Sequence, residues 1–284
     1  MSPFEEFDGQ TPTWCPGCGN WAIGAVVKRA LANLGLSPSS VFVSFGIGCS
    51  GNMNDFLNAY AVHALHGRAI PVAIGFKLAN HKMPVVAIVG DGDCYGEGGN
   101  HFLHALRGNH DITVIVHDNS VYGLTTGQSA PTSPKGFRSK STPDGLIETP
   151  LNPLALAISQ GGTFVSQAYA SRVPQITELI QKAITHKGFS LVNVLQPCVT
   201  FNRTNTYDYY DSKVYDLPSS YIPHDQVSAL KHAMNMTIKE EFPLGIVYES
   251  KRPAFHECLP QLGKQTLLER GQFEGIHEIL EHFI

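Results

Sequence analysis

The segment that most restricts the fold is VVAIVGDGDCYGEGGNHFLHALRGNHDITVIVHDNSVYGLTTGQ, residues 85–128. Its first run is apolar and β-branched without alternation, the pattern of a strand covered on both faces. That run ends at Gly90, and the chain then turns through Gly-Asp-Gly-Asp. A glycine-rich stretch opens a helix, and a second strand of the same kind ends at Asp118-Asn119. Similar runs at 41–45, 163–168 and 190–195 alternate with helical patterns in NWAIGAVVKRALANLG, NPLALAISQGG and RVPQITELIQKAITHKG. In the first of these helices Asn20 is a candidate cap and Gly35 a stop. The expected fold class is α/β: a parallel sheet of about five or more strands with helices on both faces.

A chain of 284 residues buries a substantial core without staples. A formal charge of −4 excludes the strongly basic proteins that hold nucleic acid. No apolar run reaches the length of a membrane span, and the acidic opening MSPFEEFDGQ has no leader pattern, so a soluble, cytoplasmic protein is expected. The tyrosine-rich stretch RTNTYDYYDSKVYDLP differs from what precedes it. The chain therefore divides into an α/β domain over 1–202 and a C-terminal extension over 203–284, packed on that domain or on a partner subunit. The six cysteines, Cys15, Cys18, Cys49, Cys94, Cys198 and Cys258, lie too far apart in too large a chain for a disulfide scaffold. Ligand or catalytic roles fit them better.

Glycines at a strand's carboxyl end let backbone approach a phosphate, and the helix that follows presents its amide-bearing end. A dinucleotide fingerprint starting at Gly90 fails: its sixth position is Tyr95, and the acidic residues inside the turn would repel a bare pyrophosphate. Carboxylates beside a phosphate call for a cation between them. Magnesium, which joins one or two protein oxygens to substrate phosphates, suits the place. Asp91 would be its anionic ligand, Asn119 its neutral one and the carbonyl of Val121 a third.

A Gly-Asp-Gly followed 28 positions later (119 − 91) by Asn after an apolar strand resembles the thiamine diphosphate motif. The blocks TWCPGCGN, GIGCSGNM, HALHGRAIPVAIGFKLAN, GDGDCYGEGGNHFLHALRGN, DNSVYGLTTGQSAPTSP, QPCVTFN and FPLGIVYESKRPAF extend the likeness over about residues 11–255. In that order they resemble the β subunit of 2-oxoacid:ferredoxin oxidoreductases. The resemblance implies a thiamine diphosphate-binding fold, Mg²⁺ and one [4Fe–4S] cluster. Cys15, Cys18, Cys49 and Cys198 match the cluster ligands, and Asp91, Asn119 and Val121 the magnesium ligands. Ile47, Gly48, Cys49, Ser50 and His66 match cofactor contacts, and Gly92, Asp93, Gly123 and Leu124 its diphosphate neighbours. It also implies oxidative decarboxylation of a 2-oxo acid, 2-oxoglutarate or pyruvate, to acyl-CoA and CO₂, with coenzyme A as acyl acceptor and ferredoxin as electron acceptor. The activating glutamate would come from an α subunit, in a heterodimer that pairs again, so the chain alone is expected to be inactive.

Four thiolates suit a [4Fe–4S] cube, one per iron, and equally a structural zinc tetrahedron, so ligand count does not separate them. A zinc-stabilised non-catalytic subunit and a cluster-free thiamine decarboxylase or synthase are the competing readings. Cys94 and Cys258 fall outside the ligand set and read as ordinary thiols. His63 and His66 are placed at a helix end, and Arg68 and Lys77 face either an anionic ligand or solvent. His101 and His104 are read as packing along one helix face. Tyr207, Tyr209 and Tyr210 dock the extension. Thr126 and Asn52 stand where the family commonly has basic residues.

Overall fold

The structure, a computed structural model, describes residues 2–270 and Leu280. After a 3₁₀ turn at Glu5–Phe7 the elements in chain order begin with α1 (Asn20–Asn33), β1 (Phe42–Phe45), α2 (Met53–Phe56), β2 (Tyr60–His63) and α3 (Ala69–Ala79). Next come β3 (Val85–Gly90), a π-helical turn (Gly92–Glu97), α4 (Gly99–Gly108), β4 (Thr113–Asp118), α5 (Pro153–Ser159) and β5 (Phe164–Tyr169). The rest is α6 (Val173–Thr185), β6 (Ser190–Leu195), α7 (Tyr207–Asp211), β7 (Val214–Asp216), α8 (Gln226–Ile238) and β8 (Phe242–Glu249), with short 3₁₀ turns beyond.

The strands form an eight-stranded sheet in the order β2-β1-β3-β4-β6-β5-β8-β7. Every pairing is parallel except β5 with β8, which is antiparallel and carries a register shift at Val165/Ser166. Successive residues of the central strands feed opposite cores, which is why their runs are apolar without alternation. Val86 and Ile88 pack with Val26, Val27 and Leu31 of α1 and with Ile176 and Ile180 of α6. Ala87 and Val89 pack with Ile70 and Ala73 of α3, Phe102 and Leu106 of α4, Leu154 and Ile158 of α5, and Ala229 of α8. The mostly parallel sheet with helices on both faces is the architecture expected from the sequence.

The segment after Arg203 adds β7 and β8 to this sheet. Tyr210 is buried with Tyr169, Leu195 and Leu244, and Tyr207 and Tyr209 pack against the same cluster. The tyrosines thus fasten the segment to its own chain. No described helix is long and apolar enough to cross a membrane.

Several local expectations are corrected. Asn20 is not a cap: it is the first residue of α1, fully buried, and its Oδ1 lies 2.7 Å from His117 Nδ1. Gly35 does follow the helix, with φ +69°. His63 ends strand β2 and His66 lies in the turn before α3, so the two do not share a helix end. Lys77 faces neither ligand nor solvent: it is buried, 2.8 Å from Asp111 Oδ2, and donates to Met83 O. His104 is exposed and His101 partly so, while Phe102, Ala105 and Leu106 form the buried face of α4.

Candidate functional site

The parallel register brings the carboxyl ends of four strands to one rim. Phe45 pairs with Ile88, Gly90 with His117 and Asp118 with Leu195. The segments that leave β1, β3, β4 and β6 therefore meet there, as ligand-binding loops do in open parallel sheets. One cleft on this rim is lined by Ile47, Gly48, Cys49, Ser50, His66, Asp91, Gly92, Asp93, Asn119, Val121, Gly123 and Leu124, together with Gly90, Tyr122 and Thr125. Every residue expected at the cofactor or at magnesium borders it.

Asp93 ties this cleft together. Its Oδ1 accepts from Ile47 N at 3.0 Å and Gly67 N at 2.9 Å, and lies 2.7 Å from His66 Nδ1. Its carboxylate occupies the space a Cβ on Gly46 would take, so glycine is required there for the contact. Gly92 is constrained in the same way by the Tyr122 ring, whose hydroxyl donates to Glu97. Burial pushes the Asp93 carboxyl up, and the donors from Gly67, Ile47 and His66 oppose that. Its Oδ2 and the buried Ser50 Oγ have no hydrogen-bond partner among the described residues.

Asp91 is almost wholly buried, and Thr132 Oγ1 donates to its Oδ2 at 2.6 Å. Burial, then the nearby Asp118 carboxylate, push its pKa well above the ordinary range. Asp118 is buried too and is also shifted up, by desolvation first. Neither carboxylate has a basic partner among the described residues. Two buried acids without a counter-charge are costly unless protonated or joined by a cation. Asn119 follows in the turn, its Oδ1 accepting from Val121 N at 3.1 Å. The donor set of one buried carboxylate, an amide oxygen and backbone carbonyls, beside unpartnered polar atoms, fits a hard divalent cation bridging to phosphate.

A second cleft of about 180 Å³ adjoins the first. It is lined by Cys15, Cys18, Cys49 and Cys198 with Trp14, Asn119, Gln196, Gly123, Leu124 and Phe201. Cys49, Asn119, Gly123 and Leu124 belong to both clefts. The four thiols are free and come from three distant segments. A Cβ on Gly123 would lie 3.6 Å from Cys49 Sγ and 3.7 Å from Cys198 Sγ, so the two sulfurs flank one backbone point. Desolvation raises the Cys18 thiol to about 11, with Cys198 and Cys15 adding to it. Cys49 goes to about 12 by desolvation, then by Cys18, Cys198 and Cys15. Both thiols thus sense the rest of the set as incipient negative charge. Cys18 and Cys49 thus become thiolates readily only around a metal centre. Among the described residues no three His, Cys, Asp or Glu side chains are gathered closely enough to hold a single metal ion. The four thiols border one cleft.

Some contributors were not read from the sequence. Trp14 is buried, and its indole Nε1 donates to Cys49 O at 2.7 Å, fixing the loop after β1. After burial, Asp118 pushes the Asp91 pKa up further and Thr132 opposes the rise. Gln196 Nε2 donates to Cys18 Sγ at 3.3 Å. The blocks TWCPGCGN, DNSVYGLTTGQSAPTSP and QPCVTFN contained all four residues, but nothing local marks which way their side chains turn. Cys94 is buried beside the first cleft and Cys258 is exposed; neither joins the sulfur set.

Comparisons with known proteins agree with this geometry. Residues 46–194 match the family model for the thiamine pyrophosphate enzyme C-terminal TPP-binding domain. Residues 198–264 match the model for the C-terminal part of the beta chain of pyruvate ferredoxin oxidoreductase. The chain is 45% identical over 255 residues to the 2-oxoacid:ferredoxin oxidoreductase subunit beta of Saccharolobus solfataricus, covering 86% of this chain and 84% of that one. It is 42% identical over 193 residues to the 2-oxoglutarate oxidoreductase subunit KorB of Mycobacterium tuberculosis, covering 68% of this chain and 52% of that one. Among solved structures it resembles 2-oxoglutarate:ferredoxin oxidoreductase from Magnetococcus marinus, with 2-oxoglutarate, coenzyme A and succinyl-CoA bound. The TM-score is 0.90 and the identity 35%, covering all of this chain and 95% of that one.

Proposed function

Because the chain belongs to the β-subunit family of 2-oxoacid:ferredoxin oxidoreductases, we propose that it is the thiamine diphosphate-binding half of an enzyme that oxidatively decarboxylates a 2-oxo acid. In this reading coenzyme A takes the acyl group and ferredoxin the electrons. The observation that carries it is the common wall of the two clefts: Cys49, Asn119, Gly123 and Leu124 border both the diphosphate turn and the sulfur set. A centre held by the thiols would stand against the cofactor it must oxidise.

When bound, thiamine diphosphate supplies the electron-sink chemistry that releases carbon dioxide, and an iron–sulfur cluster the one-electron transfer. The chain's own residues supply position and charge. Asp91, Asn119 and the Val121 carbonyl would hold Mg²⁺, relieving the Asp91–Asp118 repulsion. Gly92 and Gly123 would let backbone approach the diphosphate, and Ser50 Oγ, without a hydrogen-bond partner among the described residues, would offer it a hydroxyl. Asp93 locks the loop after β1 and the His66 turn against one another, so neither drifts when the cofactor enters. Cys15, Cys18, Cys49 and Cys198 would hold the cluster, one thiolate per iron, and membership of a ferredoxin-reducing family favours it over a structural zinc. In this reading the activating glutamate is contributed by an α subunit, as the family resemblance implies. Of the candidate substrates, 2-oxoglutarate comes first because it appears in the names of several relatives, with pyruvate second.

The test is anaerobic purification of the chain with its partner, analysis for iron, sulfide, magnesium and thiamine diphosphate, and assay on a panel of 2-oxo acids with coenzyme A and ferredoxin. Iron and sulfide lost in Cys49→Ser and Cys198→Ser, with 2-oxo acid-dependent ferredoxin reduction by the complex and none by the chain alone, is the expected result. Zinc without iron would replace the proposal with a zinc-stabilised binding protein. Carbon dioxide release without ferredoxin reduction would replace it with a simple decarboxylase.

A further inference from the structure

Gln196 bridges the two clefts. It lies between the end of β6 and Cys198, is almost wholly buried, and its backbone N donates to Asp118 O at 2.8 Å. Its Nε2 donates to Cys18 Sγ at 3.3 Å and to Pro197 O at 3.2 Å, while its Oε1 accepts from Asn119 Nδ2 at 3.3 Å. The orientation of the amide is dictated by its surroundings. Pro197 O can only accept, so the nitrogen must face it and the sulfur. Asn119 in turn keeps its amide nitrogen toward Gln196 because its oxygen accepts from Val121 N at 3.1 Å. Among the described residues no other sulfur of the set receives a side-chain donor. Cys18 has a second, backbone donor in Asn20, and both donors favour its thiolate.

We infer that Gln196 is a positioning residue for electron transfer: its side-chain amide donates to the Cys18 thiolate of the cluster and raises the cluster's reduction potential. This rests on the cluster reading above. A donor aimed at a cluster sulfur stabilises the more negative, reduced state more than the oxidised one, and hydrogen bonds to sulfur are among the protein's levers on cluster potential. The buried setting strengthens the effect, because the local dielectric is low. The same amide is held by the Asn119 side chain, so the sulfur's donor is set in place by a residue of the cofactor cleft. A purely structural glutamine would pack between β6 and α1 without moving the potential.

The experiment is an anaerobic redox titration, followed by electron paramagnetic resonance, of the complex carrying wild-type chain or Gln196→Met. Methionine keeps the length of the side chain and removes the donor. The expected result is unchanged iron and sulfide content and a lower potential. At the wild-type midpoint the reduced-to-oxidised ratio should fall about tenfold, which for a one-electron couple is about 59 mV. An unmoved midpoint overturns the inference while leaving the cluster reading intact. Wild-type complex without iron and sulfide overturns that reading, and this inference with it. Should the Gln196→Met complex lose its cluster, a hyperfine measurement on wild-type protein labelled with ¹⁵N at glutamine side chains decides. A glutamine nitrogen coupled to the reduced cluster supports the assignment, and its absence overturns it.

Discussion

Thr126 should be replaceable with a gain in stability. It sits in the turn between Tyr122 and Gln128 with φ +76°, a left-handed conformation that a β-branched residue adopts only under strain. Such strain costs of the order of 1–3 kcal/mol per residue. The side chain is exposed and makes no hydrogen bond among the described residues, so removing it loses no packing. The backbone contacts of the turn, Thr126 N to Gly123 O at 3.1 Å and Gly127 N to Tyr122 O at 2.9 Å, survive any substitution that keeps the conformation. In Thr126→Gly the relief is opposed by the greater freedom of glycine in the unfolded chain, roughly 0.4–1 kcal/mol. The net gain is then about 0.5–2 kcal/mol, or roughly 1–5 °C in Tm at the entropy of unfolding of a domain this large. Thr126→Asn, which tolerates the left-handed region, should gain a similar amount. The control is Thr125→Gly, at a neighbour without positive φ whose Oγ1 donates to Gln128 Oε1 at 2.6 Å; it should lose stability. Thermal unfolding of the cofactor-free chain compares all three. If Thr126→Gly and Thr126→Asn lower Tm as Thr125→Gly does, no strain is stored in this turn.

Acid sensitivity should trace to His117. Burial depresses it from the ordinary 6.5 to about 3, so its contribution is complete above pH 6.5 and is lost as pH falls from there toward 3. Over that window it amounts to on the order of 5 kcal/mol. His117→Gln, which can still meet Asn20, should move the acid-unfolding midpoint to lower pH, and an unchanged midpoint counts against the assignment. The buried Lys77–Asp111 pair offers a separate check. Lys77→Met strands a buried carboxylate and should cost about 3–5 kcal/mol in urea unfolding. The double variant Lys77→Met/Asp111→Leu should recover most of that, and a double variant no better than the single would show that the pair is not the cause.

The central strands and the rim were legible because both are written locally. Residues 85–89 and 112–116 have no polar face to lose, so only a doubly covered strand suits them. The turns that follow carry glycines and acids in a spacing that needs a sheet edge to make sense. The outer strands were not legible for equally physical reasons. Tyr60–His63 has four mostly exposed residues and no apolar run. Val214–Asp216 is three residues long. Phe242–Glu249 contains Pro243 and Gly245, which interrupt a strand pattern, and its pairing with β5 skips Val247. What decides the electrostatics of the site lies between residues far apart in the chain. Asn20 reads as a helix cap until His117 arrives beside it, 97 positions away. Lys77 reads as a surface cation until Asp111 is placed beneath it. Gln196 has no local signal at all, since its partner Cys18 is 178 positions away.

The origin of the four thiols in three segments has a consequence for the lifetime of the folded chain. A cluster held by Cys15, Cys18, Cys49 and Cys198 would cross-link points 183 positions apart (198 − 15), closing β1 through β6 inside one ring. By the loop-entropy reasoning used for disulfides, a closure of that length removes about 5 kcal/mol of disorder from the unfolded chain. Losing the prosthetic group to oxidation would then do more than silence electron flow. It would open the ring, and the fraction of chains exposed to proteolysis would rise with every cluster lost.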